Sequence, residues 1–491
     1  MAKELFNVDK NENPSEWYSD ILQKAGVADV RYPVKGFVVY QPWGFGILKK
    51  FFAELEKRWD SVGYNATHFP PAVPESFFAL EAKHAQGFKA ETFWVDLGKE
   101  EGRIGLAPTS EAVMYPMFSQ WIRSYRELPF KVYQTTSVYR YETKATRPML
   151  RGREVLWNEA HAATKDAKAC QENVDEAMRV YNDLFENACC LSSLVFKRPE
   201  WDKFPGADVT YAYDAVMPGG KALQIATTHF LGQGFAKAFD VKFLDEENKE
   251  QFAFMNSHGT AMRTIAGLLL VHGDSKGLVL PPSLSPTHIV VVPIQSDKDE
   301  KGSKDAVEKC RELGDSLKQL GFNVVVDDSE KRPGEKFYYW EMKGVPLRIE
   351  IGPRDVKTHS CVVVRRDTGE KKNVMYAMDL FKFLEFLKGL ENEIMRNLLE
   401  RSRKQLQGSI SSAASLGEAK KVLEKEGGFV KAAFCSTSRE GEACADKLKS
   451  DVPGAEVRGE LVGEKESVPK NAKCIVCGKD ARHLVYLARS Y

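Results

Sequence analysis

The sequence contains no apolar run that approaches the roughly 18 residues of a membrane-spanning helix, and its first residues, up to Pro14, are too polar for a signal peptide. These absences exclude a helical membrane protein and predict a cytoplasmic one. Net charge is nearly absent as well, because 70 Lys and Arg residues against 69 Asp and Glu residues leave +1. Binding of nucleic acid through overall basicity is therefore excluded, and any RNA contact has to come from local patches.

Cysteine is scarce too, with nine in 491 residues, and a disulfide framework is not expected in a cytosolic chain. Five of the nine lie in or beside apolar helical or strand patterns and are predicted to be small core residues: Cys170, Cys189, Cys190, Cys310 and Cys361. With 43% hydrophobic residues, the chain can form the cores of about two to four globular domains.

The other four cysteines lie near the C-terminus. Eight residues separate Cys435 from Cys444, and two separate Cys474 from Cys477. A Cys-x-x-Cys pair has the spacing of a zinc knuckle, and a tetrahedral site needs a second pair of thiolates. The first pair is more widely spaced than in a standard knuckle, so a redox Cys-x-x-Cys motif or plain buried thiols remain alternatives to a zinc site.

Hydrophobic periodicity predicts an α+β chain in three parts. Residues 1–285 mix helices at 48–59 and 167–187 with strands at 37–40, 132–142, 154–163 and 223–229, which is typical of an antiparallel sheet with flanking helices. Residues 286–395 alternate strand with helix, as in a small α/β domain with a buried sheet. A long helix from about residue 374 to 407 leads into the third part, residues 396–491, which carries the four cysteines.

Arg140 and Glu142, in the run Arg140-Tyr141-Glu142, are the most informative pair in the sequence. If residues 132–142 form a strand, the two side chains share one face and can address one ligand together. A guanidinium group matches a phosphate in a bidentate fork, and a carboxylate accepts a hydrogen bond from an amine such as that of adenine. A salt bridge on the sheet surface is the alternative.

Two further segments carry polar side chains suited to a ligand. In Pro108-Thr109-Ser110-Glu111, either hydroxyl can cap a helix that begins near Glu111, while the Glu111 carboxylate faces an ammonium group. In Gln224-Ile225-Ala226-Thr227-Thr228-His229, a regular strand places Gln224 and Thr227 on opposite faces. A bulge is therefore required if both residues bind the same ligand.

Taken in order, these motifs resemble the class II aminoacyl-tRNA synthetases, and more narrowly the prolyl-tRNA synthetases of the archaeal and eukaryotic type. The helix at 48–59 with Phe69-Pro70 is similar to the first class II motif, residues 140–157 to the second, and Arg263 to the third. Residues 272–282 resemble the exit from the catalytic domain, and residues 334–355 resemble the anticodon-binding domain. An ordered series of this length is specific, whereas a lone Arg-x-Glu is not.

The resemblance implies a proline–tRNA ligase that uses ATP with Mg²⁺, proline and proline tRNA, with a structural zinc ion in the four-cysteine domain. Arg140 is expected at the α-phosphate and the proline carboxylate, and Arg263 at the γ-phosphate of bent ATP. Arg151 and Arg153 are candidates for the β- and γ-phosphates, Glu142 for the adenine amine, and Gln224 and Thr227 for the nucleotide or adenylate. Thr109 and Glu111 suit the proline ammonium group, with pocket walls from Trp157, His161, His229 and Phe88.

The resemblance also assigns anticodon reading to Glu341, Arg348 and Glu350, although an ion-pair cluster is an equally simple interpretation. It places Tyr491, the last residue, near the active site. The first-motif helix predicts a homodimer, which sedimentation at micromolar concentration tests.

Several positions depart from the family pattern. Val155 stands where an aromatic residue usually stacks on adenine, Gly152 replaces a usual threonine, Ala107 an arginine, and Ala261-Met262 a pair of threonines. These departures favour an alternative, a catalytically silent paralogue that binds RNA or acts as a regulator. A sister enzyme that charges threonine, serine or glycine is a second alternative.

Overall fold

The computed structural model describes residues 8–78, 92–98, 102–296, 299–376, 380–463 and 466–491. An eleven-stranded sheet forms its centre, and neighbouring strands run antiparallel except for the two outermost pairs, which are parallel. In spatial order the strands are Ile410–Ala413, Phe429–Phe434, His483–Arg489, Ala455–Leu461, Leu194–Lys197, Val209–Val216, Ala222–Gly232, Phe254–Ala261, Glu154–Thr164, Phe130–Tyr139 and Asn65–Ala66.

Two amphipathic helices, Pro42–Ser61 and Ala167–Asp183, cover one face of this sheet, which confirms both predicted helices. Trp59 is fully buried beneath the sheet and its Nε1 donates to Asn158 Oδ1 at 3.0 Å. The second helix begins at the side-chain cap of Asp166 and ends in one turn of π-helix, Leu184–Ala188. Together they bury the large apolar core against which the central strands pack.

The strand that precedes Arg140 is shorter than predicted. It ends at Tyr139, which pairs with Glu154, so Arg140 and Glu142 lie beyond the strand rather than on one of its faces. The Glu142 N–H donates to Arg140 O at 2.7 Å, and this tight turn takes the chain away from the sheet. Arg140 and Glu142 therefore do not share a strand face, and the prediction that they do is wrong.

A second sheet lies in the middle part of the chain, with Val324–Val326, Ile289–Pro293, Leu347–Ile351, Ser360–Arg365 and Lys371–Met375 as its strands in spatial order. The first three strands run parallel, as expected for alternating strand and helix. The long helix predicted from residue 374 instead spans Leu380–Gly408. A turn with Gly369 at φ +73° reverses the chain, so residues 371–375 pair as an edge strand.

The C-terminal strands join the central sheet through Leu461, which pairs with Phe196, and Glu460, which pairs with Lys197. None of the helices in the described part of the chain is both long and apolar enough to cross a membrane. The other strands are Ala28–Asp29, Val39–Tyr40, Ala72–Pro74, Trp94–Asp96, Arg103–Leu106, Lys242–Leu244 and Glu250–Phe252. The other α-helices are Pro14–Lys24, Glu111–Trp121, Gly234–Ala238, Arg263–His272, Glu300–Gln319, Pro333–Lys343, Pro353–Thr358, Leu416–Lys425 and Glu442–Asp451.

Candidate active site

A pocket of about 570 Å³ opens on the face of the central sheet opposite the two covering helices. Its floor consists of strands 154–164, 222–232 and 254–261, and its rim includes the loop after Tyr139 and the start of helix 263–272. The pocket is lined by most of the residues predicted to bind substrates, namely Thr109, Glu111, Arg140, Glu142, Arg151, Trp157, His161, Gln224, Thr227, His229 and Arg263. Residues far apart in sequence thus converge on one site.

One predicted residue in the described part of the chain, Arg153, is not part of this pocket. Arg153 does not line it, because its guanidinium group lies over the Tyr141 ring at 4.5 Å and its Nε donates to Glu142 O at 3.1 Å. Arg153 therefore makes a packing contact in the free chain, and its phosphate contact stays a prediction. Phe88 lies outside the described residues.

Three of the arginines that line the pocket, Arg140, Arg151 and Arg263, lie close enough for their charges to interact. Arg263, the first residue of helix 263–272, donates through Nε to Leu150 O at 3.0 Å, and Arg140 Nε donates to Pro108 O at 3.1 Å. Burial, with the nearby charges of Arg140 and Arg151, lowers the pKa of Arg263 to about 10. Cations held this close repel one another, so the site is prepared for a polyanion that neutralises them.

Arg140 faces the open pocket with its guanidinium group 5.2 Å from the Trp157 ring centroid. Burial lowers its pKa, and the carboxylates of Glu159, Glu111 and Glu142 offset part of that effect. Arg140 therefore lies between the cationic rim and the carboxylates of the floor. That is the position required of a group that contacts both a phosphate and a carboxylate.

The predicted bulge in strand 222–232 is confirmed. Tyr213 pairs with Ala226 and Asp214 pairs with Gln224, so Ile225 is the extra residue without a partner in the ladder. The bulge shifts the alternation by one residue, and as a result Gln224, Thr227 and His229 all line the pocket.

A buried polar network lies below the arginines. Thr109 Oγ1 donates to Glu111 Oε2, and Ser110 Oγ donates to Glu159 Oε1. Ser110 occupies the N-cap position of helix 111–121, but its side chain makes no capping hydrogen bond. Its oxygen accepts from Gln134 Nε2 at 2.9 Å instead. Both hydroxyl groups therefore fix the orientation of carboxylates on the pocket floor.

The two carboxylates differ in their protonation behaviour. Burial raises the pKa of Glu111, although His161 nearby acts in the opposite direction. Burial also opposes ionisation of Glu159, but hydrogen bonds from His161, Ser110 and Gln134 outweigh it and hold the pKa of Glu159 below its usual value. The surroundings of Glu159 thus favour its ionised form. Glu111 needs a cationic partner to offset the desolvation penalty on its ionised form.

Glu159 and His161 are linked further into the core. His161 Nε2 lies 3.3 Å from Glu159 Oε2, and its Nδ1 lies 2.9 Å from the Tyr115 hydroxyl. With Tyr115 donating to Nδ1, Nε2–H donates to the carboxylate. The sequence analysis missed Glu159, although strict alternation along strand 154–164 places it between Trp157 and His161 on the pocket face.

Uncharged groups form the far wall. His229 Nδ1 lies 3.0 Å from Thr210 Oγ1 and its ring is 4.7 Å from Phe204. Burial lowers the pKa of His229 to about 3, so the ring is neutral at physiological pH. Two buried polar atoms of pocket-facing side chains, Trp157 Nε1 and Ser257 Oγ, have no hydrogen-bond partner within the described chain. Orphaned groups of this kind are typical of sites that bind a polar ligand.

The four C-terminal cysteines meet as predicted, with sulfur atoms within 4.8 Å of one another and Cys435 Sγ 3.7 Å from Cys444 Sγ. A Zn–S bond of about 2.3 Å implies tetrahedral S···S distances of about 3.8 Å, so the sulfur positions fit a Cys₄ ion. The other five cysteines are buried and free, which confirms their assignment to the core.

The predicted anticodon-reading residues contact one another. Arg348 Nη1 lies 3.0 Å from Glu341 Oε1, and Arg348 Nη2 lies 2.9 Å from Glu350 Oε1. Arg348 and Glu350 are buried in a central strand of the second sheet. The ion-pair interpretation therefore describes their contacts in the free chain. At the C-terminus, Tyr491 N donates to Ala222 O at 3.0 Å, two residues before Gln224.

Three family models match the chain in succession: the tRNA synthetase class II core domain (G, H, P, S and T) at residues 93–272, the anticodon binding domain at 288–390, and the prolyl-tRNA synthetase C-terminal domain at 416–491. The proline–tRNA ligase of Thermofilum pendens is 41% identical and matches all of both chains. That of Methanosarcina mazei is 39% identical over 97% of each chain. The structure of Giardia lamblia prolyl-tRNA synthetase in complex with prolyl-adenylate superposes with a TM-score of 0.92 and 36% identity, over 99% of this chain and 100% of that one.

Proposed function

The chain belongs to the prolyl-tRNA synthetases, a family of class II aminoacyl-tRNA synthetases, and from this premise we propose how its central pocket binds proline and ATP. The chain is an ATP-dependent proline–tRNA ligase: it converts proline and ATP to prolyl-adenylate and pyrophosphate, then transfers the prolyl group to proline tRNA. The full-length similarity to ligases supports this function over a silent paralogue or a sister enzyme.

In the activation step, an oxygen of the proline carboxylate attacks the α-phosphorus, and the bond from that phosphorus to the pyrophosphate oxygen breaks. ATP enters as its Mg²⁺ complex. Arg140 holds the carboxylate against the α-phosphate, while Arg263 and Arg151 hold the terminal phosphates of bent ATP. Positioning and charge stabilisation lower the barrier, and no side-chain nucleophile is needed.

Glu111 and Thr109 hold the proline ammonium group, and Trp157 and His229 form the walls around the ring. Glu142 accepts from the adenine amine, and Gln224 and Thr227 contact the nucleotide. The observation that carries this assignment is that Arg140, Arg151 and Arg263 line one pocket together with the buried Glu111 carboxylate. Transfer of labelled proline to proline tRNA tests the function, and a preparation that charges another tRNA instead contradicts it.

Val155 lines the pocket where an adenine ring is expected, and it offers no aromatic face. Replacing Val155 by Phe is expected to lower the KM for ATP at least about fivefold, because stacking of a base on an aromatic ring is favourable by roughly 1–3 kcal/mol. The comparison is made in proline-dependent ATP–pyrophosphate exchange. Val155→Leu, which adds volume without a ring face, is the control and is expected to leave the KM within about twofold of the parent.

The four-cysteine cluster is proposed to hold a structural zinc ion. Purified protein is expected to contain about one zinc per chain, and a strong chelator is expected to lower the melting temperature because a structural site contributes folding energy. Elemental analysis of Cys477→Ser should show the loss of that zinc. Cys361→Ala, which removes a thiol from the other sheet, should retain it, and equal zinc contents in the two variants would contradict the proposal.

We also propose two binding surfaces, one for proline tRNA and one for a second copy of the chain. Proline tRNA is proposed to contact the helix 333–343 face, where Tyr338 is 44% exposed beside the Glu341 and Arg348 pair and is available to stack on a base. A homodimer is proposed because Val30, Tyr32, Val34 and Val39 are all exposed on one short N-terminal segment. The sedimentation experiment stated above tests the dimer.

A further inference from the structure

A buried ion network joins the C-terminal segment to the catalytic strands. Arg458 donates to Asp214 through two parallel bonds, Nε to Oδ2 at 2.7 Å and Nη2 to Oδ1 at 2.8 Å. Arg198 donates through Nη2 to the same carboxylate at 3.1 and 3.2 Å. Asp214 is fully buried, and both arginines are at most 5% exposed. Three charged side chains are thus held in one fixed arrangement: Asp214 and Arg458 come from two different strands, and Arg198 comes directly after a third strand, Leu194–Lys197.

Arg198 extends this arrangement into the active-site pocket. Its Nη2 also donates to Gln224 Oε1 at 2.8 Å, and its Nη1 donates to the Arg458 carbonyl oxygen at 3.0 Å. A guanidinium group only donates hydrogen bonds, so the Gln224 atom that it contacts has to be the amide oxygen. Gln224 Nε2 is therefore left to donate a hydrogen bond to a substrate oxygen in the pocket.

The network consists of charged side chains, and its role in stability does not explain why. Stability alone does not require it, because apolar side chains of similar size commonly replace buried ion pairs without loss. Burial opposes ionisation of Asp214, but the two arginines outweigh this effect and hold its pKa below the usual value. What the charged arrangement provides, and an apolar one does not, is a donor in fixed position at Gln224.

The end of the chain reinforces the same contact. Arg458 Nη1 donates to Ser490 Oγ at 3.1 Å, and the next residue, Tyr491, donates its backbone N–H to Ala222 O, at the first residue of the strand that carries Gln224. The C-terminal segment therefore contacts this strand both through side chains and through backbone.

We propose that Arg458 is a positioning residue for proline activation, which acts through Asp214 and Arg198 to present the amide donor of Gln224 to the substrate. The inference rests on the proposed contact of Gln224 with the nucleotide or adenylate. The C-terminal segment then contributes to the chemical step through Arg458, which itself contacts no substrate.

A double-mutant cycle in ATP–pyrophosphate exchange tests the proposal, with Arg458→Lys, Gln224→Ala and the double variant. Lysine keeps the charge beside Asp214 but cannot form the bidentate fork. Arg458→Lys is expected to lower kcat/KM for ATP about tenfold in the parent and less than about twofold in the Gln224→Ala background. Arg198→Lys should show the same dependence on Gln224.

The control variant, the double-mutant cycle and the melting temperature together distinguish lost positioning of Gln224 from general destabilisation. Arg439→Gln, an exposed arginine of the same segment whose side chain pairs with Glu442, is the matched control and should have parental activity. A loss from Arg458→Lys that is equally large with and without Gln224 overturns the inference and indicates general destabilisation, which a parallel melting temperature records. Full activity of Gln224→Ala overturns the role of Gln224 itself, and the inference with it, while leaving the ligase function intact. If Arg458→Lys fails to fold, Arg198→Lys takes its place in the double-mutant cycle with Gln224→Ala.

Discussion

Replacing Arg140 by Ala is expected to lower proline-dependent ATP–pyrophosphate exchange by about 10³-fold, since removal of one preorganised donor at a developing charge costs roughly 10²–10³ in rate. Arg140 is the residue that we propose to contact the α-phosphate and the proline carboxylate at the same time. The variant should fold, because Arg140 faces the open pocket and its Nε makes a single hydrogen bond, to Pro108 O. Single-turnover measurement of adenylate formation checks the loss in the chemical step.

Arg153 supplies the contrast for this experiment. It follows Arg140 by only thirteen residues, yet its side chain packs on Tyr141 and does not line the pocket. Arg153→Ala is expected to lower the rate of ATP–pyrophosphate exchange by less than about tenfold, because only roughly 1 kcal/mol of packing on an aromatic ring is lost. Equal losses for the two variants would contradict the placement of Arg140 alone at the reacting phosphate.

The second large effect is expected at Glu111. Glu111→Gln keeps the size of the side chain but removes its charge, and the KM for proline should rise about 100-fold, in the range for truncating one partner of a buried charge pair. The KM for ATP should change far less, because Glu111 is proposed to bind the proline ammonium group and not the nucleotide. A Glu111→Gln variant with raised KM for ATP and unchanged KM for proline would contradict this assignment.

The same carboxyl group predicts a pH dependence. Burial raises the pKa of Glu111 above that of an ordinary glutamate, so in the free enzyme protonation begins at a higher pH than usual. The ammonium group of proline binds the ionised form, and binding should therefore weaken as pH falls through the raised pKa. A plot of kcat/KM for proline against pH in the parent should fall on the acid side, and this fall should disappear in Glu111→Gln.

Some of the site was predictable from sequence because it depends on local rules. The alternation of strand 222–232 required a bulge to bring Gln224 and Thr227 together, and the structure has that bulge at Ile225. The two cysteine pairs likewise lie together, as expected from a tetrahedral site that needs four thiolates at one point.

Other parts depended on contacts that the sequence does not show. Arg140 and Arg153 carry identical side chains on one loop, and only the packing of Tyr141 separates their roles. Ser110 was expected to cap a helix, but its hydroxyl donates to Glu159, forty-nine residues later in the chain. The network from Arg458 to Gln224 joins residues 234 apart, through a buried carboxylate that no local pattern marks.

The most direct measurement is ATP–pyrophosphate exchange without tRNA, with proline compared against threonine, serine, alanine and cysteine. The proposed pocket predicts exchange that is strongest with proline, because Glu111, Trp157 and His229 together suit a small cyclic ammonium. Exchange that is strongest with another amino acid would contradict the pocket assignment. Absence of exchange with every amino acid, in protein that still binds ATP, would contradict the catalytic account as a whole.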